Sequence, residues 1–163
     1  GWLSTGGKFV NKAIKYSDEA ASLVKGVTKE TKQVEKVLET EKYYRTMSEV
    51  DYTTLQKTGK VPATYETFIT PCKSFACNYN GVTVELKVNQ GTTNALKEVG
   101  VRDVSPLVKK TYGDLPLVSQ TPNWIQTNAL FKKEGDIVNI GLGKGTALDI
   151  FNNNLLDYTK ILK

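Results

Sequence analysis

Two stretches, Tyr43-Tyr44-Arg45-Thr46-Met47-Ser48 and Glu66-Thr67-Phe68-Ile69-Thr70-Pro71, decide how the chain is read. The first is β-prone, carries a single arginine, and ends on a serine suited to cap a helix. The second is another short apolar run, and its closing Thr-Pro pair suits the start of a helix. Both put polar groups on apolar strands, where a ligand site can be held rigidly.

Outward from these, Ser48 caps a helix over 49–57 that Gly59 is placed to stop. A strand over 65–70 follows, then a helix over 72–79 with Thr70 as cap and Pro71 at its first position. Asn80-Gly81 is a turn signal before 82–88, which alternates as a half-buried strand does. Gly91-Thr92-Thr93 opens a short helix through Leu96 to Val99, closed by Gly100. Residues 101–122, with Pro106, Pro116 and Pro122, read as a long surface excursion containing a turn of helix at 107–112. Residues 124–131 fit strand or helix equally, 137–142 is a strand, and 147–151 and 158–162 are further apolar runs.

Residues 1–41 have a different texture. Phe9, Val10, Ala13 and Ile14 follow a helical spacing, Ser17 and Thr28 are cap candidates, and Gly26 breaks the run. This is a Lys- and Glu-rich arm of two or three short helices, followed by a domain over 42–163. The fold class expected is α+β: a helical arm, then a compact mixed, mainly antiparallel β domain with short helices. The chain opens at Gly1 and not at methionine, as expected of a fragment or a cleaved product.

At 163 residues the chain is long enough for one domain with a sizeable core plus an appendage. The 39% hydrophobic and 24% charged fractions are ordinary for a globular protein, and no apolar run reaches the roughly 18 residues of a membrane span. Net charge is +5, which suits an anionic partner without selecting one. The sequence holds no histidine, which excludes Ser-His-Asp and Cys-His catalysis and the His-dependent ribonuclease mechanism. With Cys72 and Cys77 as the only cysteines, a zinc site is not expected, whereas one disulfide is sterically conceivable.

Several constellations carry candidate chemistry. Arg45 on a Tyr-rich strand suits a buried anion clamp, or an edge-strand arginine paired with a carboxylate. Thr67 and Thr70 suit a ligand-facing hydroxyl pair, or plain β-propensity plus helix capping. Glu134-Gly135-Asp136 places two carboxylates at i and i+2, which point the same way on an extended chain, although a solvated turn countered by Lys132 and Lys133 reads as well. Gly141-Leu142-Gly143-Lys144-Gly145-Thr146 lacks the spacing of a phosphate loop and no helix is read behind it, so a tight turn is expected. Asp149, Asn152-Asn153-Asn154 and Asp157 do not match a calcium loop, and no metal is assigned.

In this order the pieces resemble an ADP-ribosyltransferase domain of the arginine–serine–glutamate type: Tyr44-Arg45, then Thr67-Phe68-Ile69-Thr70, then Glu134-x-Asp136 ahead of Ile137-Val138-Asn139-Ile140. Residues 44–79 also resemble toxin domains at the C-terminal tips of bacterial Rhs-type and contact-dependent inhibition proteins, and the arm is similar to their pre-toxin stretches. The likeness covers 42–163, with Thr where the family has Ser and Asp136 where it has its main glutamate.

The resemblance implies NAD as substrate and no metal. It implies that Arg45 grips the phosphates of NAD and that Thr67 and Thr70 orient the nicotinamide ribose. Asp136 would stabilise the oxocarbenium-like state, Glu134 would position or deprotonate the acceptor, and Tyr44 or Tyr79 would stack on a ring. It further implies a monomeric toxin delivered from a producing bacterium into a recipient cytoplasm, where it strikes the translation machinery (an elongation factor, tRNA or rRNA), with a cognate immunity protein at home. Two alternatives stay open. One is a metal-independent, histidine-free ribonuclease acting on tRNA or rRNA through Arg45, Lys132, Lys133 and Lys144; the other is a non-enzymatic binding module whose arm docks a partner.

Overall fold

The computed structural model describes residues 39–163. The helices expected at Phe9–Ile14, after Ser17 and after Thr28 lie outside the described residues. The first strand starts at Thr40.

β1 (Thr40–Met47) runs into Ser48, whose Oγ accepts from Asp51 N at 3.1 Å and so caps α1 (Glu49–Thr58). Gly59, at φ 71°, ends that helix with its N–H on Leu55 O. β2 (Phe68–Ile69) and α2 (Lys73–Cys77) follow, then β3 (Val82–Asn89) and α3 (Thr92–Glu98). β4 (Gly100–Arg102), α4 (Pro106–Tyr112), a 3-10 turn at Val118–Gln120 and α5 (Trp124–Thr127) come next. β5 (Ala129–Glu134), β6 (Ile137–Gly141), α6 (Thr146–Asn153) and β7 (Leu155–Lys160) complete the domain.

The strands form two sheets, β1-β3-β7 and β2-β6-β5-β4. Every pairing is antiparallel except β4 with β5. An isolated bridge between Tyr44 and Thr70 joins the sheets, through Tyr44 N to Thr70 O at 2.8 Å and Thr70 N to Tyr44 O at 2.9 Å. One apolar core runs between them, with Leu55, Val84, Leu86, Val88, Leu96, Phe131, Phe151 and Leu155 fully enclosed. The architecture is the α+β, mainly antiparallel one that the pattern predicts.

Four local expectations are corrected. The strand expected over 65–70 shrinks to Phe68–Ile69 because Thr67 sits at φ 52°, a left-handed conformation that ends an extended run. The helix expected from Cys72 starts at Lys73, while Thr70 still caps locally by accepting from Cys72 N. The excursion over 101–122 hides β4: a Cβ at Gly100 would lie 2.8 Å from Leu115 and 3.1 Å from Phe131, so this glycine opens a tightly packed strand as well as closing a helix. A helix, α6, does stand behind the glycine turn at 141–146. That turn still makes a poor phosphate cradle, since the amides of Leu142, Gly143 and Lys144 bond Thr67 O, Glu66 O and Ile125 O.

Asn152 holds the loop after α1 to α6 as a backbone mimic. Its Nδ2 donates to Val61 O at 3.0 Å and its Oδ1 accepts from Val61 N at 2.8 Å, in the interior. Asn152→Ala strands both backbone groups, each at about 1–3 kcal/mol. We expect urea denaturation to show a loss of about 2–4 kcal/mol; a loss below about 0.5 kcal/mol would contradict the clamp.

Asp103 pins the start of α4 to β5, accepting from Ser105 N, Ser105 Oγ and Lys133 N. Partial burial pushes its carboxyl up, but these hydrogen bonds outweigh that and leave it below the ordinary 3.8. A depressed carboxyl stabilises the fold above its unfolded pKa and loses that contribution as pH falls through its folded value. The urea midpoint of Asp103→Asn should therefore fall less steeply than that of the parent on acidification below about pH 4.

Candidate functional site

The Tyr44–Thr70 bridge puts two consecutive runs, Tyr44-Arg45-Thr46 and Phe68-Ile69-Thr70, side by side on a cavity of about 220 Å³. Phe75, Ala76 and Tyr79 wall it from α2 and the residues after, and Glu134 and Asn139 close it from the β5–β6 hairpin. The volume is below the ~300–1,000 Å³ of pockets that enclose a drug-sized ligand, so it suits a single ring with its substituent.

The guanidinium of Arg45 is anchored, not paired with a charge. Nη1 donates to Phe68 O at 2.7 Å and Nη2 to Thr64 Oγ1 at 3.1 Å, while Nε is buried without a partner. No carboxylate pairs with it among the described residues. Burial pulls Arg45 below the ordinary arginine value and Asp51 pulls the other way; an arginine keeps its charge at neutral pH regardless.

The aromatic wall is fixed from behind. Thr46 Oγ1 donates to Ala76 O at 2.6 Å and lies 2.5 Å from Thr83 Oγ1, fastening α2 to β1 and β3. Phe75 and Tyr79, four apart, bring their rings to 5.6 Å. Tyr44 donates its hydroxyl to Glu85 at 3.0 Å, and burial first and that carboxylate second raise its pKa.

At the hairpin, Gly135 adopts φ 61°. The chain from Glu134 to Asp136 is therefore a tight turn, the other of the two readings of this stretch, and the reading in which both carboxylates point the same way from an extended run is corrected. Glu134, the last residue of β5, lines the cavity, whereas Asp136 is exposed in the turn and outside the lining. Glu134 Oε1 accepts from Asn139 Nδ2 at 3.2 Å.

Of the residues singled out in the sequence, Tyr44, Arg45, Thr70, Tyr79 and Glu134 are brought together on this cavity. Thr67 is not: it is enclosed, with its hydroxyl accepting from Thr64 N at 3.0 Å and lying 2.6 Å from Gly143 O. Asn139, Phe68 and Phe75 were missed. A polar amide inside the apolar run Ile137-Val138-Asn139-Ile140 was the available signal for the first. Cys72 and Cys77 are free thiols.

A second hollow is lined by Tyr65, Asn123, Trp124, Ile125, Gln126 and Lys144. A Cβ at Gly141 would lie 3.1 Å from the Phe68 ring, which lines the first cavity, and 3.3 Å from Trp124, which lines the second. Lys144 Nζ stands 5.5 Å over the Tyr65 ring and Lys132 Nζ 5.4 Å over Phe68.

These features define a small α+β domain with one aromatic- and arginine-lined cleft at the junction of its sheets. The chain belongs to the PT3 toxin domain family, whose family model matches residues 39–160. It is thus a toxin domain of the polymorphic type. No curated protein matches the sequence at a significant level.

Thr46→Val should keep the shape but release α2, leaving Ala76 O with only its local backbone bond from Tyr79 N and removing the partner of the buried Thr83 hydroxyl. We expect a loss of about 1–2 kcal/mol and faster amide hydrogen exchange in α2 than in β3. Unchanged protection of α2 would show that the wall is held by packing alone.

Proposed function

We propose that the cleft binds NAD and transfers its ADP-ribosyl group to a component of a recipient bacterium. The observation that carries this reading is the convergence of Arg45, Thr70, Tyr44, Tyr79 and Glu134, drawn from four segments, on one cavity of ring size. The residues fit the substrate: Arg45 Nε is an orphaned buried donor beside aromatic walls. Bound NAD supplies a glycosidic bond that breaks with nicotinamide taking the bonding pair, while an acceptor nitrogen or oxygen joins C1′ and releases a proton.

The protein's own groups divide the remaining work. Arg45 meets the anionic part of the dinucleotide with a charge that is already oriented by Phe68 O and Thr64. Tyr44 and Tyr79 flank the ring, and Thr70 offers a hydroxyl to the ribose. Glu134, within the cleft, faces the positive charge that develops at C1′ and takes the acceptor's proton; oriented charge of this kind is typically worth about 10²–10³ in rate. Asp136, in the turn, stands on the acceptor side of the hairpin. The hollow at Tyr65, Trp124 and Lys144 offers aromatic faces and a cation to an approaching target, which suits a tRNA, an rRNA or a protein bound to one. In the same reading the toxin is delivered from a producing cell and is held harmless there by an immunity protein.

The test is transfer of label from adenylate-labelled NAD into a bacterial lysate by the full chain, with Arg45→Ala, Glu134→Gln and the surface variant Lys110→Ala. Labelled protein or RNA should fall at least about 100-fold with the first two and stay with the third. Lysate RNA cut without any label transfer would sink the transferase reading in favour of a nuclease.

A further inference from the structure

We propose that Asn139 selects the nicotinamide carboxamide, so that the cleft accepts NAD and rejects the dinucleotide whose ring carries a carboxylate. This rests on the ADP-ribosyl transfer reading and names the specificity of that same site. Asn139 pairs with Lys132 across the hairpin, and residues directly opposite share a face. Lys132 and Glu134, two apart on β5, share that face as well. The register thus aims Asn139 where Glu134 and the Phe68-covering Lys132 already point, into the cleft it lines.

The amide's orientation is set by its neighbour. Only the NH₂ end can donate to Glu134 Oε1, so Nδ2 faces the carboxylate and Oδ1 faces away. That Oδ1 is buried and has no partner, although the residue is only 1% exposed. The other buried asparagine behaves differently: Asn152 spends both ends on the Val61 backbone, as a structural asparagine does. Asn139 is left with an acceptor to fill, which is costly unless a ligand supplies a donor.

Arg45 Nε is the complementary orphan, a buried donor on the same cavity. One free acceptor and one free donor match a primary amide, whose NH₂ donates and whose carbonyl accepts. A ring carboxylate offers acceptors only: one oxygen could meet Arg45, but the other would face Asn139 Oδ1 with no donor, beside the Glu134 charge. Asn139 also steadies Glu134 through Nδ2, so recognition of the leaving group and alignment of the carboxylate share one side chain.

The deciding experiment is calorimetric titration of the full chain with NAD and with nicotinic acid adenine dinucleotide, repeated with free nicotinamide and nicotinate. The parent and Asn139→Leu are compared alongside the label-transfer assay; Asn139→Ser serves as the second variant should leucine prevent folding. The parent should prefer the carboxamide by at least about tenfold, the scale of one hydrogen bond. The variant should bring the two ligands within about threefold even where NAD affinity itself falls, a ratio that loss of packing alone would not move. Equal binding of both ligands by a parent that transfers label would overturn the role of Asn139 and leave the transferase reading standing. Full preference retained by the variants would do the same. Neither ligand bound, with no label transferred, would overturn both.

Discussion

The two backbone hydrogen bonds between Tyr44 and Thr70 are what the rest of the molecule depends on. They join two sheets that share no other ladder among the described residues, and they do it with main-chain atoms, which leaves the side chains on either side free. β2, only two residues long, would be a marginal strand alone. It holds because Tyr44 pairs with Thr70, Arg45 bonds Phe68 O, and β6 pairs through Phe68–Gly141 and Ile69–Ile140. The same contacts that hold the sheets together therefore build the cleft. Moving β2 by one residue would carry Arg45's anchor, the aromatic wall and the hairpin with it.

That junction is also where the chain concentrates features that cost stability. Thr67 takes a left-handed backbone conformation that β-branched residues rarely adopt, at a cost on the order of 1–3 kcal/mol. Arg45 carries a charge below the surface with no carboxylate beside it, and Arg45 Nε and Asn139 Oδ1 lack partners. A core built only for stability would replace such groups with apolar ones. Elsewhere the domain follows the ordinary rules: Asn152 is satisfied at both ends, Glu41 caps α3 by accepting from Gly91 N and Thr93 N, and burial lifts Tyr43 to about 12 beside Thr93. Asn123 is also left-handed, a conformation asparagine tolerates, but the strained β-branched residue and both unsatisfied buried polar atoms lie at one place, as functional sites tend to arrange them.

What could be read from sequence follows the range of the interactions involved. Ser48 and Gly59 bracket α1 because capping is decided within four residues, and 82–88 alternates because one face of β3 is enclosed. β4 was invisible: three residues whose partner in the sheet is β5, far along the chain and parallel, leave no local period. Thr67 reads as a good strand residue, and only its contacts with Thr64 and Gly143 make it a turn. Within the cleft, Arg45 stood out because a charge inside the Tyr-rich run Tyr43–Met47 is a local anomaly. Asn139 is the same kind of anomaly in a run otherwise read only as apolar, yet its meaning depends on lying across the hairpin from Lys132, near Glu134.

The carboxylate pair shows where reading a motif linearly stops working. Residues at i and i+2 share a face only while the backbone between them is extended. Gly135, at φ 61° and with open space around its α-carbon, turns the chain instead. The turn divides two chemically similar side chains into one that ends a strand inside the cleft and one that faces solvent. A residue with a Cβ at that position would be strained in the left-handed region, so the two carboxylates' different positions rest on a glycine that carries no chemistry itself. Asn139 then secures the outcome from the opposite strand, because its amide holds the inner carboxylate. Which acid lines the cleft is thus decided by hairpin geometry, and not by the methylene that distinguishes Glu134 from Asp136.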